Sequence, residues 1–393
     1  MIENNSLTCP FEHNENPELE AKKITEVAER TVSLLDSRYP APEKVLRGVH
    51  PKSHGCIKAC FEINEDIDSS LQIGLFTSPG KKHDAFIRFS NAAARLGPDI
   101  SDEGEHGSRG MAIKVFDVGG EALINDNGSC NQDFLMINQP VFAFANTDDY
   151  LRLTQILDRN NDSPDAFFAP LRLQDPSLSE QEKQQILAYV EAENLNGEDI
   201  KRILDTLTIV KQIKASATAN PLNLQYFSAA PFLFGKDQVM KFSVKPVGQV
   251  SPTELPENPS PDYLRDAVTE SMKSNASIEF DFMVQVRSDA GEMGIENASS
   301  LWDEDQFHFI KVAKITIIAP QVDIESDAEK AYCEALAFTP WHSLPEHQPI
   351  GSINRLRKDV YQASAQHRHD QLDDRQEFFL IRIIKSILKP IFG

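Results

Sequence analysis

The spacing of apolar positions changes several times along the chain. Over about 17–36, Ile24, Val27, Ala28, Thr31, Leu34 and Leu35 fall on one helical face, behind a polar stretch at 1–16. From about 45 to 145, short apolar runs are broken by Gly, Asn and Asp, and Ala85–Phe89, Met111–Val118 and Phe134–Ala145 read as strands. Helical spacing returns over 178–215, through Ile200, Ile203, Leu204, Leu207 and Val210. Strand character resumes at Val239–Val247, and a Pro/Ser-rich connection follows at 251–261. Ser277–Arg287 then alternates, with Ile278, Phe280, Phe282, Val284 and Val286 set against Glu279, Asp281, Gln285 and Arg287, which predicts a half-buried strand. Phe307–Pro320 reads as a further strand, and about the last 40 residues read as helix. No internal repeat is visible. Long strands flanked by helices, without regular βαβ alternation, predict an α+β fold with an antiparallel sheet or barrel. Three parts are expected: an arm and helix over 1–40, a core over 41–370 and an amphipathic tail over 371–393.

Composition narrows the partners. The 393 residues suffice for one large domain or two smaller ones, and 40% apolar with 25% charged residues fits a soluble globular protein. A formal charge of −21 argues against nucleic acid as a partner. Met1–Pro10 lacks the basic-then-apolar order of a secretory signal, and no apolar run reaches the length of about 18 residues needed to span a bilayer, so a cytoplasmic location is expected. The five cysteines are an odd number in a large chain, which argues against a disulfide framework. Cys56 and Cys60 have no second pair to complete a zinc site. Residues 378–393 contain no acid, and Arg382, Lys385 and Lys389 share one helical face. That stretch suits peripheral contact with an anionic membrane, or docking onto the protein body or a partner subunit; both stay open.

Four segments carry candidate chemistry, and each has an ordinary reading beside the functional one. In Arg47-Gly-Val-His50-Pro51, His50 reads alone as a hydrogen-bonded core histidine, and Pro51 rules against a zinc-binding helix through His50 and His54. Arg88, in Phe86-Ile-Arg-Phe-Ser90, sits mid-strand among apolar neighbours and needs an anionic partner, which one of the 60 acidic residues could supply. Asn138, before Pro140, reads alone as a strand-end turn residue. In the last segment, helical geometry puts Arg357, Tyr361 and Arg368 on one face. A guanidinium beside a phenol favours the phenolate, a hard anionic ligand for ferric iron. Otherwise the segment is a basic surface helix.

Taken in order, these segments resemble the haem catalases. The matching motifs are Arg47-Gly-Val-His50 running on to Phe61-Glu62, Arg88-Phe89-Ser90, Arg109-Gly-Met-Ala-Ile-Lys114, Asn138-Gln-Pro-Val-Phe142, and Arg357 to Tyr361 to Arg368. The likeness covers roughly residues 40–370 and implies a catalase-like antiparallel β-barrel with flanking helices, binding haem b. It implies that His50 is the distal acid–base histidine and Asn138 the distal asparagine. Tyr361 would be the iron ligand, with Arg357 bonding its phenolate, and Arg47, Arg88 and Arg368 would pair with the haem propionates. Ser90, Val49, Phe142 and Tyr150 would complete the pocket. Typical catalases are about a hundred residues longer, so the chain resembles the compact catalase-related branch, and no segment is assigned to NADPH. The function implied is dismutation of hydrogen peroxide, reduction of organic hydroperoxides, or both, with a small-molecule peroxide as substrate and a second copy of the chain as a candidate partner. Two rivals are a fatty-acid hydroperoxide isomerase or lyase like allene oxide synthase, and a non-catalytic haem sensor or carrier. The allene oxide synthases carry Thr before the distal histidine; this chain has Val49, as true catalases do.

Overall fold

The computed structural model describes residues 10–370 except 42, 125–129, 161, 275, 289–292 and 318. The amphipathic tail at 371–393 lies outside the described residues. Among the described residues nine strands run antiparallel: β1 (Ser53–Ile63), β2 (Lys82–Asn91), β3 (Arg109–Val115), β4 (Gln132–Ile137), β5 (Tyr226–Phe227), β6 (Phe232–Leu233), β7 (Val239–Pro246), β8 (Ile278–Arg287) and β9 (Ile310–Ile317). Their order is β5-β4-β3-β2-β1-β9-β8-β7-β6, and a further pairing of β5 with β7 closes eight of them into a barrel. Closure removes free sheet edges. Seven α-helices among the described residues accompany it: α1 (Pro17–Arg38), α2 (Thr147–Arg159), α3 (Glu180–Ala192), α4 (Gly197–Ala215), α5 (Tyr263–Ser271), α6 (Asp327–Ala335) and α7 (Ser352–Asp370).

Phenylalanine fills the barrel. Phe134 packs within 4.6 Å of Phe282 and 5.0 Å of Phe242, and Phe61 lies 5.2 Å from Phe282, between ring centroids. The alternation expected in β8 delivers Ile278, Phe280, Phe282 and Val284 to this interior. Strand β2 is different, because both of its faces are covered. Ala85, Ile87 and Phe89 point inward, while Phe86 faces Tyr332 of α6, 5.1 Å away. Arg88 and Ser90 share that outer face with Phe86 by the two-residue period of a strand.

Several boundaries differ from the sequence reading. The strand expected over Phe134–Ala145 ends at Ile137, and α2 follows from Asn146, whose side chain accepts from the Asp149 N–H. The single helix expected over 178–215 is two. A turn at 193–196 leads into a capping box between Asn196 and Asp199 that starts α4. Helices α5 and α6 were not read from the sequence.

Helix α7 is anchored at both ends of its approach. Asp133 of β4 accepts from Lys114 Nζ at 2.7 Å and from the Thr339 N–H at 3.1 Å, and lies 2.8 Å from His342 Nδ1, which ties the segment before α7 to the barrel. At the start of α7, Ser352 and Arg355 both donate to Glu20 of α1, while Thr147 of α2 bonds Ser352. Helices α1, α2 and α7 thereby form one layer.

The packing generates a stability prediction. Phe134→Ala should cost about 3–5 kcal/mol in denaturant unfolding, because the interior cannot collapse around the lost ring. Leu187→Ala, at a 45% exposed position of α3, should stay within about 0.5 kcal/mol.

Candidate active site

The outer face of β1–β3 and the helical layer meet at a site lined by most of the residues singled out in the sequence. His50 lies just before β1 with a φ of +58°, an uncommon conformation for a residue with a side chain, and Pro51 adds to its cost. Two backbone hydrogen bonds hold it there. The His50 N–H donates to the Ala93 carbonyl at 2.8 Å, and the His50 carbonyl accepts from Arg88 at 2.9 Å. Its ring Nδ1 lies 2.9 Å from Ser90 Oγ. The ring also rests on Gly110 of β3, where any Cβ would overlap it. Gly110 is therefore part of the site; the signal for it is a glycine inside a strand, which often marks close approach of another group.

His50 is only partly covered, yet burial followed by Arg88, Arg357 and Arg47 pushes its pKa down to about 3. Both facts hold if the ring faces an internal space hemmed in by protein. Arg47, Val49, Asn138, Phe142, Tyr150 and Tyr361 share this intermediate exposure.

Asn138 follows β4, and its carboxamide oxygen accepts from the Arg109 N–H at 2.7 Å and from Ser108 at 3.2 Å. A backbone N–H can only meet the oxygen, so the amide orientation is fixed and the NH₂ group is left to donate elsewhere.

On the helical side, Arg357 and Tyr361 stand one turn apart on α7. The Arg357 guanidinium lies 5.3 Å from the Tyr361 ring centroid and 5.5 Å from that of Phe142. It donates to Asn354 at 3.1 Å. The bond expected from Arg357 to the Tyr361 oxygen is not among the hydrogen bonds of the described residues; the guanidinium stacks on the ring instead, and its buried Nε has no partner. Tyr150, on α2, has its hydroxyl pushed up to about 12 by burial and by the neighbouring Tyr361. Ser364 of α7 accepts from the Gly48 N–H at 3.2 Å, joining the histidine loop to the tyrosine helix.

Arg47, Arg88 and Arg368 converge at the edge of this site on Glu334 of α6. Arg47 contacts its carboxylate at 2.6 Å and Arg88 at 3.6 Å, while Arg368 donates to its backbone carbonyl. Three guanidiniums against one carboxylate leave two positive charges in excess. The Nε atoms of Arg88 and Arg368 are buried without a partner. Burial, followed by Arg47, holds Arg368 down to about 9. Unpaired donors and a twofold cationic excess call for a dianion. Haem b, with two propionates and an iron that a tyrosine oxygen can hold, fits this donor set. His54, by contrast, is fully buried in a network with Asn91 and Asp99 away from the site.

Residues 36–166 match the catalase family model, a span that includes His50, Arg88 and Asn138 but not Tyr361. Over 125 residues the chain is 30% identical to a catalase of Ascaris suum, covering 31% of this chain and 21% of that one. The matched segment thus spans about a fifth of that relative. The fold is similar to that of a fungal catalase, with a TM-score of 0.56 and 16% identity over 86% of this chain and 62% of the other. It is equally similar to catalase A of Saccharomyces cerevisiae, with a TM-score of 0.56, 15% identity, and 94% and 68% of the two chains covered. For a bacterial catalase the values are 0.56, 16%, 97% and 66%. Likeness at such identity establishes the fold.

His50 generates a pH prediction. Its pKa is depressed in the folded state, so the stability of keeping it neutral is complete above the unfolded value near 6.5 and is lost as pH falls toward about 3. Wild type should therefore lose more melting temperature between pH 7 and pH 4.5 than His50→Gln does. His54 and His347, also depressed, are common to both proteins and cancel. Equal losses would contradict a neutral His50.

Proposed function

From the match of residues 36–166 to the catalase family model and from the catalase-like fold, we propose that the chain is a haem-dependent enzyme that dismutates hydrogen peroxide and reduces organic hydroperoxides with an organic donor. The observation that carries this reading is that Arg357, stacked on Tyr361 of the helical layer, also acts on the strained, neutral His50 beside the barrel. In this reading Tyr361 holds the iron, Arg47, Arg88 and Arg368 hold the propionates, and Phe142, Tyr150 and Val49 pack around the macrocycle. Bound haem would supply a ferric centre able to accept oxidation from a peroxide O–O bond and pass it to a donor.

The chain's own residues then manage protons and orientation. With Nδ1 bonded to Ser90, the other ring nitrogen of His50 is free to take the proton from the near peroxide oxygen and return it to the leaving oxygen, which departs as water. In the tautomer whose Nδ1–H donates to Ser90, the neutral ring leaves that nitrogen unprotonated and ready. Asn138, its oxygen pinned by Arg109, can donate its N–H to the oxygen on which charge builds. Arg357, stacked on the Tyr361 ring, would hold that ring in orientation for the iron. In dismutation a second hydrogen peroxide is the donor, so two peroxides yield two waters and one dioxygen.

The rival readings are weaker on specific grounds. Haem carriage would need neither the strained His50 nor the fixed amide of Asn138. Fatty-acid hydroperoxide rearrangement would be favoured by a hydroxyl restraining the histidine, but Val49 has none. We place the enzyme in the cytoplasm, with residues 378–393 as its candidate contact to a membrane or to another copy.

Two variants test the proposal with a dioxygen electrode. His50→Ala should retain haem absorption and lose about 10²–10⁴-fold in dioxygen release, the usual cost of an acid–base group. Val49→Thr should lower dioxygen release without haem loss. The proposal fails if wild type releases no dioxygen and instead rearranges a fatty-acid hydroperoxide without consuming a reductant.

A further inference from the structure

Glu334 occupies an unusual place. It is the carboxylate on which Arg47, Arg88 and Arg368 converge, and it stands at the end of α6. Arg47 is fully engaged with this helix end: one terminal nitrogen donates to Glu334 at 2.6 Å, and the other to the carbonyls of Cys333 and Leu336 at 2.9 and 2.8 Å. Burial alone would raise the Glu334 carboxyl, yet Arg47, Arg88 and Arg368 together hold it below the usual range. Glu334 is therefore ionised and takes up guanidinium charge that an incoming anion would otherwise meet. Phe86 and Tyr332, packed at 5.1 Å, fix α6 against β2, so the carboxylate cannot simply drift into solvent.

We propose that Glu334 competes with the carboxylates of the bound cofactor for Arg47 and Arg88, and so sets the affinity of the site for a dianionic porphyrin. The proposal rests on the haem reading above. A guanidinium–carboxylate pair is directional and charge-assisted, so Arg47 cannot serve Glu334 and a propionate equally well at once. With Glu334 present, the cluster carries an excess of two positive charges, which two propionates neutralise. Without it, the excess is three, and the same dianion is held more tightly. Glu334 is a positioning residue here; it has no contact with His50 or Tyr361 among the described residues.

The test is hemin titration into haem-free full-length protein, followed by quenching of Trp302 and Trp341 fluorescence. Glu334→Gln should bind hemin more tightly than wild type, by on the order of tenfold. Without hemin the variant should melt at a lower temperature, because its arginines repel one another. Hemin dimethyl ester, which lacks propionate charge, should show no such gain. Tighter hemin binding that disappears with the ester supports the proposal. Equal or weaker hemin binding by the variant, with wild type binding normally, overturns it and leaves the haem reading standing. A purely structural Glu334 would lower melting temperature and affinity together. Should Glu334→Gln not fold, Glu334→Asp retracts the carboxylate by one methylene and makes the same comparison. Wild type that binds no hemin would end the haem reading, and this proposal with it.

Discussion

An unpaired guanidinium is not tolerated in a protein interior, and the site depends on how Arg88 meets that constraint. Arg88 is buried in the middle of β2, on the outer face of a closed barrel. Its partners come from two directions: the His50 carbonyl before β1, and Glu334 at the end of α6. The first bond fixes the backbone of a strained histidine. The second draws in α6 and, through Glu334, the arginines at 47 and 368. One buried cation thus connects His50, the barrel wall and the arginine cluster around Glu334.

The barrel supplies the stiffness that this arrangement needs. Its Phe-filled interior faces away from the site, so the chemistry is built on the outside of β1–β3, under the layer of α1, α2 and α7. Strain at His50 persists because its N–H, carbonyl and ring are each held, by Ala93, Arg88 and Ser90. The tyrosine helix is held independently, through Glu20 and the Asp133 network. Two rigid walls set separately, and joined by the Gly48–Ser364 bond, define the space between them.

Much of this was legible in the sequence where physics is local. The alternation in β8 and the helical spacing of α1 place those elements within a few residues. Arg357 and Tyr361 meet because residues four apart on a helix share a face. Legibility failed where tertiary structure decides. The run from Phe142 to Ala145 is apolar like a strand, but Asn146 caps a helix immediately after it. Strand β2 shows no alternation because both its faces are covered. Glu334 carries no local signal among 60 acidic residues; only folding brings it to arginines 246 to 287 residues earlier and 34 later in the chain. Gly110 signals close approach as a glycine inside a strand, but only the fold shows that the approaching group is the His50 ring.

The central claim is that Tyr361 and His50 face one haem from opposite walls, with the tyrosine oxygen on iron. Resonance Raman spectroscopy of the ferric, hemin-loaded protein measures this most directly. The account predicts tyrosinate vibrations enhanced by excitation into the iron charge-transfer band, and their disappearance in Tyr361→Phe while porphyrin remains bound. A wild-type spectrum without tyrosinate bands, or one unchanged by Tyr361→Phe, would contradict it.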